Sequence, residues 1–324
     1  MSTSATDDFF ENELNADINY MILRDEPFHC EDRENFNIIW NTVKDKIRDR
    51  KFKTKAKEKD QFRAAAWHVA LLYVFHEIGY QIDTYGGNSE PDIKLKINNQ
   101  TIFIEATTLK SGNDILNSVP ERLFGKHSPT YSKGNDHRYQ LRVTNTIDEK
   151  FGSKDSQYNR QKKKIPEMNT SPYVLAMTTT LPDAELQKPV EKVLFGKGKD
   201  VYHIGLDQNY RIIDVTLYSM DENKIQKKKR SQNGEDFDVI EIDKGIFDDP
   251  SFELLSGVIW TPYCPCRNFP LNVEEYLASI RYFANPRAKY PCPENFWSAK
   301  SSNKTLQRKG LTALVSTHLL PSHD

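Results

Sequence analysis

The spacing of apolar residues changes several times along the chain, and each change predicts an element. Phe36, Ile39, Trp40 and Val43 recur at helical spacing, which predicts an amphipathic helix over roughly 34–50. Ala65, Ala66, Val69, Leu72, Tyr73 and Phe75 give Ala64–Ile78 a broad apolar face, and Gly79 is placed to stop that helix. Tyr80 to Tyr85 reads as a short strand, followed by a Gly86–Ser89 loop. Residues 111–137 show no period, Tyr139 to Phe151 reads as a helix, and Tyr173–Thr178 and Gly257–Trp260 read as buried strands. Residues 185–250 read as a long polar insertion with Lys227-Lys228-Lys229-Arg230 at an exposed loop tip, and Val273–Phe283 as a late helix. The expected fold is α/β: a mixed sheet of at least four strands, near 80–85, 92–97, 101–107 and 173–178, flanked by helices. A helical, polar N-terminal extension occupies 1–60, the core 61–290, and a tail of little periodicity 291–324.

The most informative stretch is a hairpin. Glu90 to Ile97 and Gln100 to Thr107 are joined by Asn98-Asn99, a pair able to supply the positive φ values of a tight turn. With these two as the loop, Ile97 faces Gln100 and Asp92 faces Glu105. Side chains alternate across a strand, so one face collects Ile93, Leu95, Ile97, Ile102, Ile104 and Ala106, suited to packing on the Ala64–Ile78 helix. The other collects Asp92, Lys94, Lys96, Thr101, Phe103, Glu105 and Thr107. Two carboxylates then stand directly opposite, with Cβ atoms roughly 5 Å apart, where like charges destabilise a sheet. A divalent cation between them reverses that sign, because Mg²⁺ is held by one or two carboxylates plus substrate oxygens. Alternatively, both acids simply point to water.

Composition narrows the classes. The 324 residues carry 45 basic against 46 acidic side chains, so a protein coated in positive charge is excluded, while a local basic patch is not. No stretch reaches the roughly 18–20 apolar residues of a membrane span. Met1 to Phe10 lacks a basic and an apolar region, so no cleaved signal is expected. Four cysteines in a chain this long read as thiols of a reducing cytoplasm. Cys264, Cys266 and Cys292 have no fourth ligand at finger-like spacing and read as scattered thiols rather than a zinc site. Neither a Gly-x-x-x-x-Gly-Lys loop nor a Gly-x-Gly-x-x-Gly turn is present, so ATP- or NAD-driven chemistry lacks support. The alternating Lys51, Lys53, Lys55, Lys57 and Lys59 read as a solvated basic linker or helix end, with a phosphate-binding strip as the alternative. Arg138 and Arg142 with Tyr139, and Lys162 and Lys163 beyond them, suggest a rim that contacts a nucleic-acid backbone.

A helix, a strand, Pro91-Asp92 opening a second strand and Glu105-Ala106-Thr107 closing a third resemble the PD-(D/E)XK nuclease superfamily. More narrowly, Trp67 through Gly79, the Pro-Asp pair, Ile104-Glu105-Ala106-Thr107 and Arg142…Lys150 are similar to a set of uncharacterised bacterial proteins reading W-E-x-x-L…G…G-P-D-F…W-I-E-x-T. The likeness continues at Ser171–Ala176, Ser256–Ile259 and Asn285–Ala288, and so covers roughly 62–290. The resemblance implies a restriction-endonuclease-like core, Mg²⁺ or Mn²⁺ on Asp92 and Glu105, and hydrolysis of DNA or RNA. It also leaves open a homodimer, and a degenerate module that binds nucleic acid or a protein without cutting. The chain departs from the pattern twice. Thr107 stands where the lysine of the triplet belongs, so a lysine from elsewhere would have to serve: Lys94 on the same face, then Lys110, then Lys150. His68 stands where the first helix of such proteins carries an acid, and reads as a capped or partly exposed histidine or as a neighbour of the metal site.

Overall fold

The computed structural model describes residues 7–13, 15–83, 90–109, 136–179, 187–196, 201–206, 212–218, 224–230, 237–243, 245–262, 279–294 and 296–297. It is an α/β fold around a mixed six-stranded sheet. Four helices come first: α1 (Ile18–Asp25), α2 (Cys30–Val43), α3 (Phe52–Lys57) and α4 (Phe62–Glu77). The strands β1 (Gln81–Asp83), β2 (Ile93–Ile97) and β3 (Gln100–Leu109) then form an antiparallel meander. Helices α5 (Asp136–Ile147) and α6 (Gln157–Lys162) lead to β4 (Tyr173–Thr179), which runs parallel to β3. Next come α7 (Gln187–Phe195) and two separate hairpins, β5 (Val201–Leu206) with β6 (Ile212–Tyr218) and β7 (Lys224–Arg230) with β8 (Phe237–Asp243). The chain returns to the main sheet with β9 (Gly257–Thr261), parallel to β4, and β10 (Arg281–Ala284), giving the order β1-β2-β3-β4-β9-β10. No described helix is long and apolar enough to cross a membrane.

The hairpin register arises as its alternation requires. Asn98 and Asn99 adopt φ of 51° and 64°, the left-handed pair of a two-residue primed turn, and Ile93 pairs with Ile104 through Ile97 with Gln100. Ile93, Leu95, Ile97, Ile102, Ile104 and Ala106 are all buried in one core with α4. That core also takes Phe9, Tyr20, Phe36 and Trp40, so the N-terminal helices complete the cover of this face. On the opposite face Lys96 is exposed, but the part that carries Phe103, Glu105 and Thr107 is buried. Phe103, Tyr173, Leu175, Met177 and Trp260 pack there against Leu141, Ile147 and Phe151 of the α5 region and Val190, Val193 and Leu194 of α7. The result is helices on both sides of one sheet, with β3 and β4 buried along nearly their whole length.

Three local expectations change. Residues 281–283, expected at the end of a late helix, lie in the edge strand β10 on β9; residues 263–278 lie outside the described residues. The run Lys227–Arg230, expected at a loop tip, lies in β7 and pairs with Phe237–Ile240. The helix from Tyr139 does not continue unchanged to Phe151. It ends at Ile147, and Asp148–Gly152 form a π-helical turn. The last residue of that turn explains the tightness. A Cβ on Gly152 would lie 2.7 Å from Asp148 Oδ1 and 2.8 Å from Phe252 Cζ. Gly152→Ala is therefore expected to cost about 1–3 kcal/mol through overpacking, read as a lowered thermal unfolding midpoint. An unchanged midpoint would mean the turn relaxes freely around the added methyl.

Candidate active site

β3 outruns its partner. β2 begins at Ile93, opposite Ile104, so the backbone of β3 beyond that point has no β2 neighbour. Asp92 fills the gap: its Oδ2 accepts a 2.8 Å hydrogen bond from the Ala106 N–H. A proline immediately before it contributes no backbone donor and favours an extended entry. Asp92 thus caps an open sheet edge and reaches groups on both sides of the sheet. His68 of α4 lies on one side, with Nδ1 3.9 Å from Asp92 Oδ1. Glu105 lies on the other, buried to 1% exposure on β3.

Glu105 is not left bare. Lys150 Nζ donates to its Oε1 at 3.2 Å, and Gln161 of α6 donates to its Oε2 at 3.2 Å. Lys150 is fixed in turn by the Gln157 side-chain oxygen at 2.6 Å. Lys150 is carried by the π-helical turn Asp148–Gly152; such turns recur at functional sites. Burial, followed by the neighbouring Asp92, pushes the Glu105 carboxyl up to about 7, and burial raises Asp92 as well. Lys150 stays charged: burial opposes its charge, but Glu105 and Asp92 together outweigh it and raise its pKa. His68 moves the other way. Burial lowers it to about 4, against the pull of Glu105 and Asp92, so the ring is neutral at pH 7. Tyr173, fully buried beside both acids, carries a hydroxyl without a hydrogen-bond partner among the described residues.

The candidate residues sort as follows. Asp92, Glu105 and Lys150 come together. Thr107 follows Glu105 on the same face of β3 and is 8% exposed. Lys94, ranked first as the substitute lysine, is engaged elsewhere: it pairs with Glu167 at 2.8 Å and lies over the Phe103 ring. Lys110 lies outside the described residues, as does the side chain of Arg138. Of the rim, Arg142 is half-buried, Lys162 lies over the Tyr158 ring at 5.0 Å, and Lys163 is exposed. His68 is 6% exposed, more buried than the partly exposed histidine expected. Cys264 and Cys266 lie outside the described residues. Burial pushes the Cys292 thiol up to about 12, which keeps it protonated. Of the lysine strip, Lys53, Lys55 and Lys57 lie on α3 and are paired: Lys53 with Asp7 and Glu11, Lys57 with Glu11 and Glu13, and Lys55 with Asp49.

Sequence reasoning missed Gln157 and Gln161, whose only signal is their spacing of four on one helix face. It also missed that Asp49, Phe52 and Lys55, from the N-terminal region, wall a cavity of about 290 Å³ next to Asp92. No protein-family model, curated protein or solved structure matches the chain.

The acid pair suits a hard cation. Its carboxyls are held above their ordinary range by burial, in spite of Lys150, and the described residues contain no cluster of three or more His, Cys, Asp or Glu side chains. Two carboxylates with the remaining positions taken by water or substrate oxygens is the habit of Mg²⁺ or Mn²⁺, not of structural zinc.

Proposed function

We propose that the chain is a metal-dependent nuclease that hydrolyses phosphodiester bonds, on a core of the PD-(D/E)XK kind. The order α4-β1-β2-β3-α5-β4, with Asp92 entering β2 and Glu105 within β3, supports the reading. The observation that carries it is the Lys150 ammonium, 3.2 Å from Glu105, which supplies from a helical turn the positive charge that Thr107 cannot.

In this reading Asp92 and Glu105 hold Mg²⁺ or Mn²⁺. Such a cation lowers the pKa of a bound water and offsets charge on phosphate oxygens. Gln161 and the Ala106 N–H orient the two carboxylates. Lys150, pinned by Gln157, remains charged and stabilises negative charge as it develops on the phosphoryl oxygens. The Thr107 hydroxyl positions a water, and neutral His68 adds no charge that would compete with a cation.

Two measurements test this. Calorimetric titration should show Mg²⁺ or Mn²⁺ binding that Asp92→Asn weakens severalfold or more; equal binding by wild type and variant would place the site elsewhere. Incubation with plasmid, single-stranded DNA and RNA should show cutting that EDTA and Glu105→Gln both abolish. Binding without cutting would instead favour the degenerate module, and cutting that survives Glu105→Gln would rule this site out.

A further inference from the structure

We infer that the cavity beside Asp92 receives one unstacked base, so that the substrate is single-stranded or unpaired nucleic acid rather than intact duplex. The inference deepens the nuclease reading and rests on it for the placement of the phosphate.

The cavity measures about 290 Å³. That is the lower end of small-ligand sites, at roughly 300–1,000 Å³, and suits one planar ring rather than a strand. Ala64 and Ala65 of α4 line it with small side chains. Phe52 forms another wall. Its ring stacks on Trp40 at 5.9 Å and 7° and meets His68 edge-on at 5.3 Å, so it is braced from two sides. A held aromatic wall is what bases stack on, whatever their identity.

Polar groups complete the site. His68 also lines the cavity, and its buried Nε2 has no hydrogen-bond partner among the described residues. A buried, unsatisfied ring nitrogen is costly, and a ligand that supplies a partner recovers that cost. The Gln61 side chain makes no cap to α4 and offers both a donor and an acceptor to a base edge. Asp92 belongs to the acid pair and to the cavity wall alike. A phosphate held at the pair therefore has the cavity within reach of its own nucleotide. Bases inside a duplex are paired and stacked and cannot enter, so proteins that take up a base act on single strands or expel it first.

The test uses the full chain and a short fluorescent single-stranded oligonucleotide, its blunt duplex, and the duplex with one unpaired nucleotide. Cleavage is followed in Mn²⁺ and binding by anisotropy in Ca²⁺. The single strand and the bulged duplex should be cut, and bound, about tenfold or more better than the intact duplex. Ala64→Phe, at a partly exposed position, fills the cavity and should lower single-strand binding by about tenfold, the scale of one lost stacking contact. Gln61→Ala, at an exposed helix start, is the second variant and should give a smaller loss in the same direction, with an unchanged unfolding midpoint. Duplex cut as well as single strand, with both variants like wild type, would overturn the base pocket and leave the nuclease standing. Cavity-dependent binding of single strands without cutting would uphold the pocket and overturn the nuclease. Neither binding nor cutting would overturn both.

Discussion

Lys150→Met is expected to lower the rate of phosphodiester hydrolysis by on the order of 10²–10³, the scale of removing one preorganised electrostatic stabiliser. The same change should leave substrate binding less affected, because the cation acts on charge that appears as the bond breaks. Stability should fall as well. Glu105 is buried to 1% exposure and would lose its nearest positive charge; stripping one member from a buried pair costs on the order of 3–5 kcal/mol. Protonation of Glu105 limits that cost, so the loss should be smaller at pH 5 than at pH 8. Lys94→Met is the control. Its ion pair with Glu167 sits where Glu167 is 43% exposed, and exposed pairs contribute little, so activity and stability should stay near wild type. A lysine restored at the triplet position sharpens the test: Thr107→Lys in the Lys150→Met background should recover part of the lost rate, because Thr107 follows Glu105 on the same face of β3. Full activity in Lys150→Met would remove this lysine from the mechanism.

The second large effect is a pair of opposed pH dependences, measured without divalent cations. Glu105 is raised from 4.5 to about 7 on folding. Between those values the folded state holds the proton that the unfolded state has released, so the contribution of Glu105 to stability falls as pH rises through that window and is constant above it. His68 is lowered from 6.5 to about 4. Between pH 4 and 6.5 the unfolded state holds the extra proton, so the contribution of His68 rises with pH across that range. Each is worth on the order of 3 kcal/mol at about 1.4 kcal/mol per pH unit, and the windows overlap. In wild type the two oppose each other between pH 4.5 and 6.5. His68→Gln should expose the falling limb, and Glu105→Gln the rising one. Denaturant titrations at several pH values read both slopes; two variants with the same slope as wild type would show that neither group is shifted. Saturating Mg²⁺ should flatten the falling limb, because a bound cation stabilises the ionised pair.

Much of this was legible in the chain itself. Strict alternation on either side of Asn98-Asn99 determines which residues of the hairpin are buried, because a strand exposes alternate side chains to opposite faces and a two-residue turn fixes the register. The alternate apolar residues from Ile93 to Ala106 therefore share one core with α4 as their spacing requires, and Asp92 stands one residue outside the paired register, accepting from the Ala106 N–H. The long apolar face of α4 and the buried runs at 173–179 and 257–261 are equally local signals.

The supporting groups are another matter. That Phe103, Glu105 and Thr107 are buried depends on α5, α6 and α7 closing over a face that reads as polar. Lys150 rather than Lys94 stands beside Glu105: Lys150 lies in a π-helical turn where Gly152 packs against Phe252, and Lys94 is paired with Glu167. The cavity forms where α3 and the Ile47–Asp49 segment before it meet α4 and the entry to β2. Alternation and helical period report which face of its own element a residue occupies. Which distant element covers that face is set by packing between segments far apart in sequence, and no local period encodes it.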